Sequence, residues 1–478
     1  MQPPSGLIGR KRELEVLERA YSSKKSEFVI VYGRRRVGKT FLVNQKFGGQ
    51  FTFRLTAIAN ATLEQQLTNF YTALNVHAPH LGEEGIPPNW FQAFQLVTRL
   101  VSKDTSYRKV LFFDEMPWLD APGSDFIPAL EHFWNSWASL RNDVFLIACG
   151  SAASWMINQL IRNKGGLHNR LTERILLQPF TLSETEEFLR SKGAVYDRYQ
   201  LLEFYMAIGG IPYYLENIQV NRSVHQNIDR MCFTPGAVLH VEYDNLYRSL
   251  FNNYDRHLAV VEALARKSKG MIRGELLSAS GLPDGGTSSN ILEELEQSGF
   301  IKRYFPFGKT KRDAVYQLVD PYTLFYLTFV KNSKAEGPGA WLSRSNSPKW
   351  RAWSGYAFEF LCFSHIDNIK RSLGISGVYT EISTWRSRKS EPGAQIDLLI
   401  DRADRIINVC EVKFSTTPYV ISKSYAENLR NKLNAFQQDS GTTKTLLLTM
   451  ITANGLKSNP YAVQLVKEAL GMEALFEK

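Results

Sequence analysis

The chain has 478 residues, 44% of them hydrophobic and 22% charged, a composition that suits a globular protein of about three domains with a sizeable core. Its four cysteines are scattered without CxxC pairing, which indicates neither a disulfide framework nor a zinc site and points to a reducing cytoplasm. No apolar run reaches membrane-spanning length, the N-terminus lacks a signal-peptide core, and the net charge of +10 permits nucleic-acid partners without demanding them.

In chain order, Leu14, Val16 and Leu17 mark an amphipathic helix after Gly9-Arg10. The β-prone run Phe28 to Tyr32 then leads into Gly33-Arg34-Arg35-Arg36-Val37-Gly38-Lys39-Thr40, which fits G-x-x-x-x-G-K-[ST]. Glycines at the two ends let the backbone curl so that its N–H groups face the phosphates of a nucleotide such as ATP. Lys39 would reach phosphate oxygens and the Thr40 hydroxyl would ligate Mg²⁺. Further strands are expected at 51–57, 109–115, 143–151 and 173–179, and their alternation with helices implies a parallel sheet covered on both faces. The run 109–115, KVLFFDE, ends in two carboxylates where such sheets bind ligands. Asp114 is the expected Mg²⁺-side acid, and Glu115 the base that activates water.

From Phe180 to about Leu250 the pattern turns helical, with Ser183 and the nearby Glu186 and Glu187 suiting a capped first turn. Residues 255–320 read as three short helices and two strands, the order of a winged-helix module. The helix that would enter a groove, SSNILEELEQ, is acidic, which favours packing or interaction over DNA readout. The polar stretch KNSKAEGPGA (331–340) reads as a linker. Beyond it, residues 331–478 hold 20 Lys and Arg against 14 Asp and Glu.

In that last region QIDLLI and IINVCEVK form an expected hairpin. Glu411 and Lys413 are two apart and share one strand face, where Asp397 of the partner strand can converge with them. Metal-dependent nucleases use this set, with carboxylates Asp397 and Glu411 on Mg²⁺ and Lys413 positioning water. Glu359, in GYAFEFLCF, could add another acid.

Taken together, the motif LIGRKREL (7–14), the G-R-R-R-x-G-K-T loop and the acid-then-ExK hairpin resemble archaeal-type ATPases of the signal-transducing (STAND) branch of the AAA+ superfamily. The resemblance implies an α/β P-loop NTPase core with a parallel sheet (1–178) and a helical lid (179–250). A winged-helix domain (251–330) and a restriction-endonuclease-like PD-(D/E)xK domain (331–478) would follow. It also implies that Gly9 and Arg10 lie near adenine, that Ser151 is a sensor, that Pro212 belongs to a nucleotide-sensing lid motif, and that Arg170 acts as an arginine finger. Relatives carry Gly-Arg where this chain has His168-Asn169-Arg170, and Arg174 is a competitor for that role. A finger acting on a neighbouring molecule would require a homo-oligomer. The expected function is an Mg²⁺-dependent ATPase switch that gates a nuclease-like domain acting on DNA or RNA. The alternative is a nucleotide-dependent nucleic-acid- or protein-binding regulator whose nuclease fold is inactive.

Overall fold

The computed structural model describes residues 7–79, 85–162, 165–167, 169–251, 253–309, 313–333, 337–387 and 393–477. The chain divides into two compact units, Met1–Pro179 and Phe180–Lys478. Among the described residues no helix is long and apolar enough to cross a membrane.

In the first unit five strands form one parallel sheet: β1 (Glu27–Tyr32), β2 (Phe51–Thr56), β3 (Lys109–Asp114), β4 (Val144–Gly150) and β5 (Glu173–Leu176). Their spatial order is β2-β3-β4-β1-β5. The residues of β3 and β4 are buried without exception, as an apolar run must be when helices cover both faces. Phe53, Phe70, Trp90, Phe94, Phe113 and Trp134 share one core cluster with the helices Leu63–His77 and Trp90–Lys103. Each such aromatic contributes about 1.5–3 kcal/mol by leaving water. The order β3-β4-β1 brings the carboxyl ends of three neighbouring strands together, and the next residues of the chain there are Asp114-Glu115, Ser151 and the loop from Gly33. Gly33 is required at its position: φ is 143°, and a Cβ would stand 2.4 Å from the Leu177 carbonyl oxygen.

The second unit opens with the helix Leu182–Ser191, whose cap differs from the expected one. Thr181, not Ser183, is the N-cap, and it shares a capping box with Glu184. Both T-x-x-E and S-x-x-E fit the sequence signal. Glu186, which the second box would need, is instead engaged by Arg190 and Arg198. After the helix Arg198–Ile208, Gly209 has a φ of 76° and Gly210 lies against Phe180. The Phe180 N–H donates to the Gly210 carbonyl at 2.7 Å, and a Cβ on Gly210 would fall 2.0 Å from the Phe180 oxygen. Pro212 opens the following helix, Pro212–Glu216, at a position where no N–H is needed.

Residues 254–318 contain the helices Tyr254–Ala265, Arg273–Ser280 and Gly286–Gln297. Beside them an antiparallel sheet is ordered β6-β8-β7, from β6 (Met271–Ile272), β7 (Ile301–Tyr304) and β8 (Val315–Leu318). The two-residue β6 is too short to leave a periodic signal in the sequence. The stretch expected as a linker is partly anchored among its described residues. The N–H groups of Gly339 and Trp341 donate to the Asp229 carboxylate at 2.8 and 2.6 Å. Trp341 is fully buried among Phe233, Phe325, Phe329 and Trp350. Beyond the helix Pro348–Ser364 comes a mixed sheet, β13-β12-β11-β10-β9. It comprises β9 (Thr380–Arg386), β10 (Gln395–Arg402), β11 (Ile406–Lys413), β12 (Thr445–Thr452) and β13 (Glu468–Leu470). β10 and β11 form the expected antiparallel hairpin. β11 and β12 are parallel, joined across the helix Lys423–Ser440 that covers one face.

Gly210→Ala is expected to cost about 1–3 kcal/mol through the backbone clash at Phe180. Gly274→Ala, inside a helix and with nothing within 4 Å of its Cβ, is expected to hold or raise stability. Thermal unfolding of the two variants beside the parent checks the contrast.

Candidate functional site: a buried lysine loop and a charged hairpin

The phosphate-type loop runs from the end of β1 to the helix Lys39–Phe47, whose N-cap Gly38 has a φ of 93°. Lys39 begins that helix with 5% exposure. Its Nζ donates to the Gly33 carbonyl at 3.1 Å, the Arg34 carbonyl at 3.0 Å and Ser151 Oγ at 2.9 Å. All three acceptors are neutral, so the protein buries a full charge without a carboxylate in contact, and burial holds the ammonium pKa below its usual value. Thr40 Oγ1 donates to Asp114 Oδ1 at 3.0 Å. Burial raises the Asp114 pKa, opposed by that hydroxyl. A charge waiting at a helix N-terminus, beside a hydroxyl–carboxylate pair, fits a phosphate with a divalent cation. Thr40 and Asp114 would hold the cation, and Lys39 and the loop amides the phosphate.

Glu115 stands just past β3 with a φ of 48°, a left-handed conformation uncommon for this residue type. Its carboxylate accepts from Ser151 N–H at 3.1 Å and Ser151 Oγ at 2.6 Å. Ser151 thus joins Lys39 to Glu115 through one hydroxyl. Arg10, also left-handed at φ 58°, is 5% exposed and donates to the Val37 carbonyl at 3.1 Å and the Gln178 carbonyl at 2.7 Å. It fastens the loop to the segment after β5, and Gly9 beside it has a φ of 64°. Arg34 is buried, Arg35 and Arg36 are half-buried, and Val37 is buried. Arg170 lies in the exposed turn before β5 and Arg174 is exposed on β5, so neither is gathered into this cluster. His168 lies outside the described residues. Pro212 belongs to the second unit, where it opens the helix Pro212–Glu216.

The hairpin acids of the second unit do converge. Continuing the β10–β11 register, Leu398 opposite Cys410, by one step sets Asp397 opposite Glu411. An irregularity in the β9–β10 pairing between Ile396 and Leu399 frames Asp397, the sort of bulge that re-aims a side chain. Glu411 is 3% exposed and both its oxygens are engaged. Lys413 Nζ donates to Oε1 and Lys432 Nζ to Oε2, each at 2.7 Å, while the Tyr425 hydroxyl also donates to Oε1. The two ammonium groups outweigh burial and hold the Glu411 pKa below its ordinary value. Asp397 is raised to about 6 by burial and by Glu411, and Glu359 to about 8 by burial and by Asp397.

Tyr425 and Lys432 were not singled out from the sequence. The available signal was their seven-residue separation, two helical turns that place both on one face of Lys423–Ser440. Among the described residues no group of three or more His, Cys, Asp or Glu side chains is placed to hold a metal ion. With Lys432 and Tyr425 on Glu411, the Asp397–Glu411 pair does not present an open cation site, and a cation there would have to displace one of them.

Residues 7–218 match a family model described as an ATPase domain predominantly from Archaea, so the chain carries an ATPase domain. An uncharacterized protein of Methanocaldococcus jannaschii is 23% identical over 412 residues, spanning 85% of this chain and 87% of that protein. An uncharacterized ATP-binding protein of the same organism is 53% identical over 38 residues, 8% of this chain and 64% of that one. Among solved structures, the Walker-type ATPase of Pyrococcus abyssi is 16% identical with a TM-score of 0.49, covering 67% of this chain and 96% of its own.

The charged hairpin generates a pH prediction. Glu359 titrates near 8 when folded and at its ordinary value near 4.5 when unfolded, so the folded chain keeps a proton that the unfolded chain releases. Stability therefore falls as pH rises from about 4.5 to about 8 and levels off above. Glu359→Gln removes this dependence. Denaturant titrations across pH should find the variant more stable than the parent above pH 8, on the order of a few kcal/mol, with the gap closing toward acid. A gap that does not change with pH would refute the assignment.

Proposed function

We propose that this protein is an Mg²⁺-dependent ATPase switch whose nucleotide sits on the loop 33–40. The observation that carries the reading is the buried Lys39 ammonium, satisfied by neutral acceptors alone at the head of a helix and beside Thr40 and Asp114. A phosphate supplies the negative charge that the protein leaves out. Mg²⁺, when bound, would neutralise charge on the phosphates, held on the side of Thr40 and Asp114. Lys39 binds phosphate oxygen. Glu115 accepts a proton from the attacking water and orients it, after exchanging Ser151 Oγ for that water. Ser151 then serves as the sensor, released from Glu115 but kept on Lys39. The exposed Arg170 suits action on a neighbouring molecule, and so a homo-oligomer, with Arg174 as the competing residue.

In the second unit, residues 179–250 act as the lid and 251–330 as a winged-helix module, in which the antiparallel sheet beside three helices supports the reading. Residues 331–478 act as a nuclease-like domain, with Asp397, Glu411 and Lys413 meeting nucleic acid. One observation favours a second reading, in which this domain binds nucleic acid without cutting it: both Glu411 oxygens are already held by Lys413, Lys432 and Tyr425.

Lys39→Ala is expected to abolish ATP binding, and Glu115→Gln to keep binding while slowing turnover about 100-fold or more. Isothermal titration and phosphate release check the pair, and undiminished turnover in Glu115→Gln would sink the base assignment. For the second unit, labelled DNA and RNA incubated with Mg²⁺, with and without ATP, separate the two readings. Cleavage that vanishes in Asp397→Ala supports a gated nuclease, whereas binding without cleavage supports the regulator.

A further inference from the structure

We propose that a basic cleft in the second unit, distinct from the Asp397 cluster, binds the sugar–phosphate backbone of a nucleic-acid strand; this rests on the reading that the chain acts on nucleic acid. The cleft has a volume of 870 Å³. One wall is the end of the helix Tyr254–Ala265, with Glu262 and Arg266, and the other is built from residues within 327–333 and 344–349. Four cations line it, Arg266, Lys331, Arg344 and Lys349, against one acid among the described lining residues. That acid, Glu262, is paired with Lys331 at 2.5 Å.

The other three cations have no carboxylate within ion-pair distance among the described residues. Arg344 Nη1 donates to Ser333 Oγ and Lys349 Nζ to the Thr328 carbonyl, both at 2.6 Å. Lys349 also lies 5.1 Å from the centre of the Phe329 ring. Neutral acceptors orient these groups and leave their charge intact, so the cleft holds about three positive charges in excess, ready for phosphate. Ser347, the N-cap of the 17-residue helix Pro348–Ser364, is also in the lining and adds the positive helix end.

A strand fits better than a free small molecule. Small-ligand pockets are lined predominantly by hydrophobic side chains with a few polar groups. Here Arg266, Lys331 and Lys349 are exposed, and charged or polar residues make up most of the lining. The acidic face of the helix Gly286–Gln297, by contrast, is unsuited to phosphate contact, so backbone binding has to come from another surface. The cleft also lies at the start of the helix that carries Glu359. Ten residues separate Lys349 from Glu359, about 15 Å along the axis, within reach of a strand a few nucleotides long.

The test uses the full chain in EDTA and follows fluorescence anisotropy of labelled single- and double-stranded DNA and RNA through a salt series. The triple variant Arg266→Glu/Arg344→Glu/Lys349→Glu is expected to bind about tenfold more weakly or worse, with a salt slope shallower by about 2–3, while ATP turnover stays at the parent level. Arg266→Gln/Lys349→Gln, changing two exposed side chains, should show the same effect at smaller size and guards against misfolding of the triple variant. Parent and both variants binding alike overturns the cleft and leaves the nucleic-acid reading standing. A parent that binds none of the nucleic acids overturns that reading and the cleft with it. Run in a Lys39→Ala background, displacement of the strand by ATP at equal phosphate concentration would identify free nucleotide as the occupant and overturn the strand.

Discussion

A buried ammonium with no carboxylate in contact is the constraint on which the first unit is built. Placing Lys39 at 5% exposure costs free energy that its three neutral acceptors only partly offset. Two of those acceptors are carbonyls of the loop itself, which can face inward because Gly33 adopts a backbone conformation closed to other residues. The third is Ser151, brought alongside by the pairing of β1 with β4. The sheet order, the glycine and the serine are thus parts of one solution to a single electrostatic problem. On the reading proposed for the loop, a bound phosphate would supply the negative contact that Lys39 lacks.

The second unit meets the opposite imbalance and settles it internally. Glu359, Asp397 and Glu411 bring three acids near one another, Glu411 buried and the other two half-buried, and the chain answers with Lys413 from the strand of Glu411 and Lys432 from the covering helix. Glu411 stays ionised because two ammonium groups bind it, whereas Asp397 and Glu359 carry the remaining repulsion as raised pKa values. One cluster holds a cation with no carboxylate in contact, and the other has its central anion already held by two ammonium groups. The first is therefore the stronger candidate for binding a charged ligand without rearrangement.

The parallel sheet was legible because strands buried on both faces leave continuous apolar runs, and 109–114 and 144–150 are buried at every position. The loop was legible for a different reason: its glycines and lysine are dictated by backbone curvature and charge, which permit few substitutes. What escaped depended on contacts distant in sequence. Tyr425 and Lys432 sit in a helix whose pattern reports only its apolar face, so nothing local shows that its polar side reaches Glu411. The choice of Thr181 over Ser183 as cap was undecidable from two overlapping S/T-x-x-E boxes until Glu186 was seen held by two arginines. The strand Met271–Ile272 is defined by its pairing with β8 and has no period of its own.

The same kind of distant constraint acts inside each unit. Gly33 gives way to the Leu177 carbonyl, and the Leu177 N–H donates to the Tyr32 carbonyl at 2.7 Å, so the chain after β5 is fixed against the phosphate-type loop. Three residues later Phe180 is fixed in turn: its N–H goes to Gly210, its carbonyl accepts from the Tyr205 hydroxyl at 2.7 Å, and Gly210 has no room for a side chain. Between these anchors stand Gln178, whose carbonyl is held by Arg10, and Pro179, whose ring sets φ. Within the first unit the chain after β5 is thus pinned to the loop, and within the second unit Phe180 is pinned to the Gly209-Gly210 turn, each by backbone groups that no local sequence pattern reports.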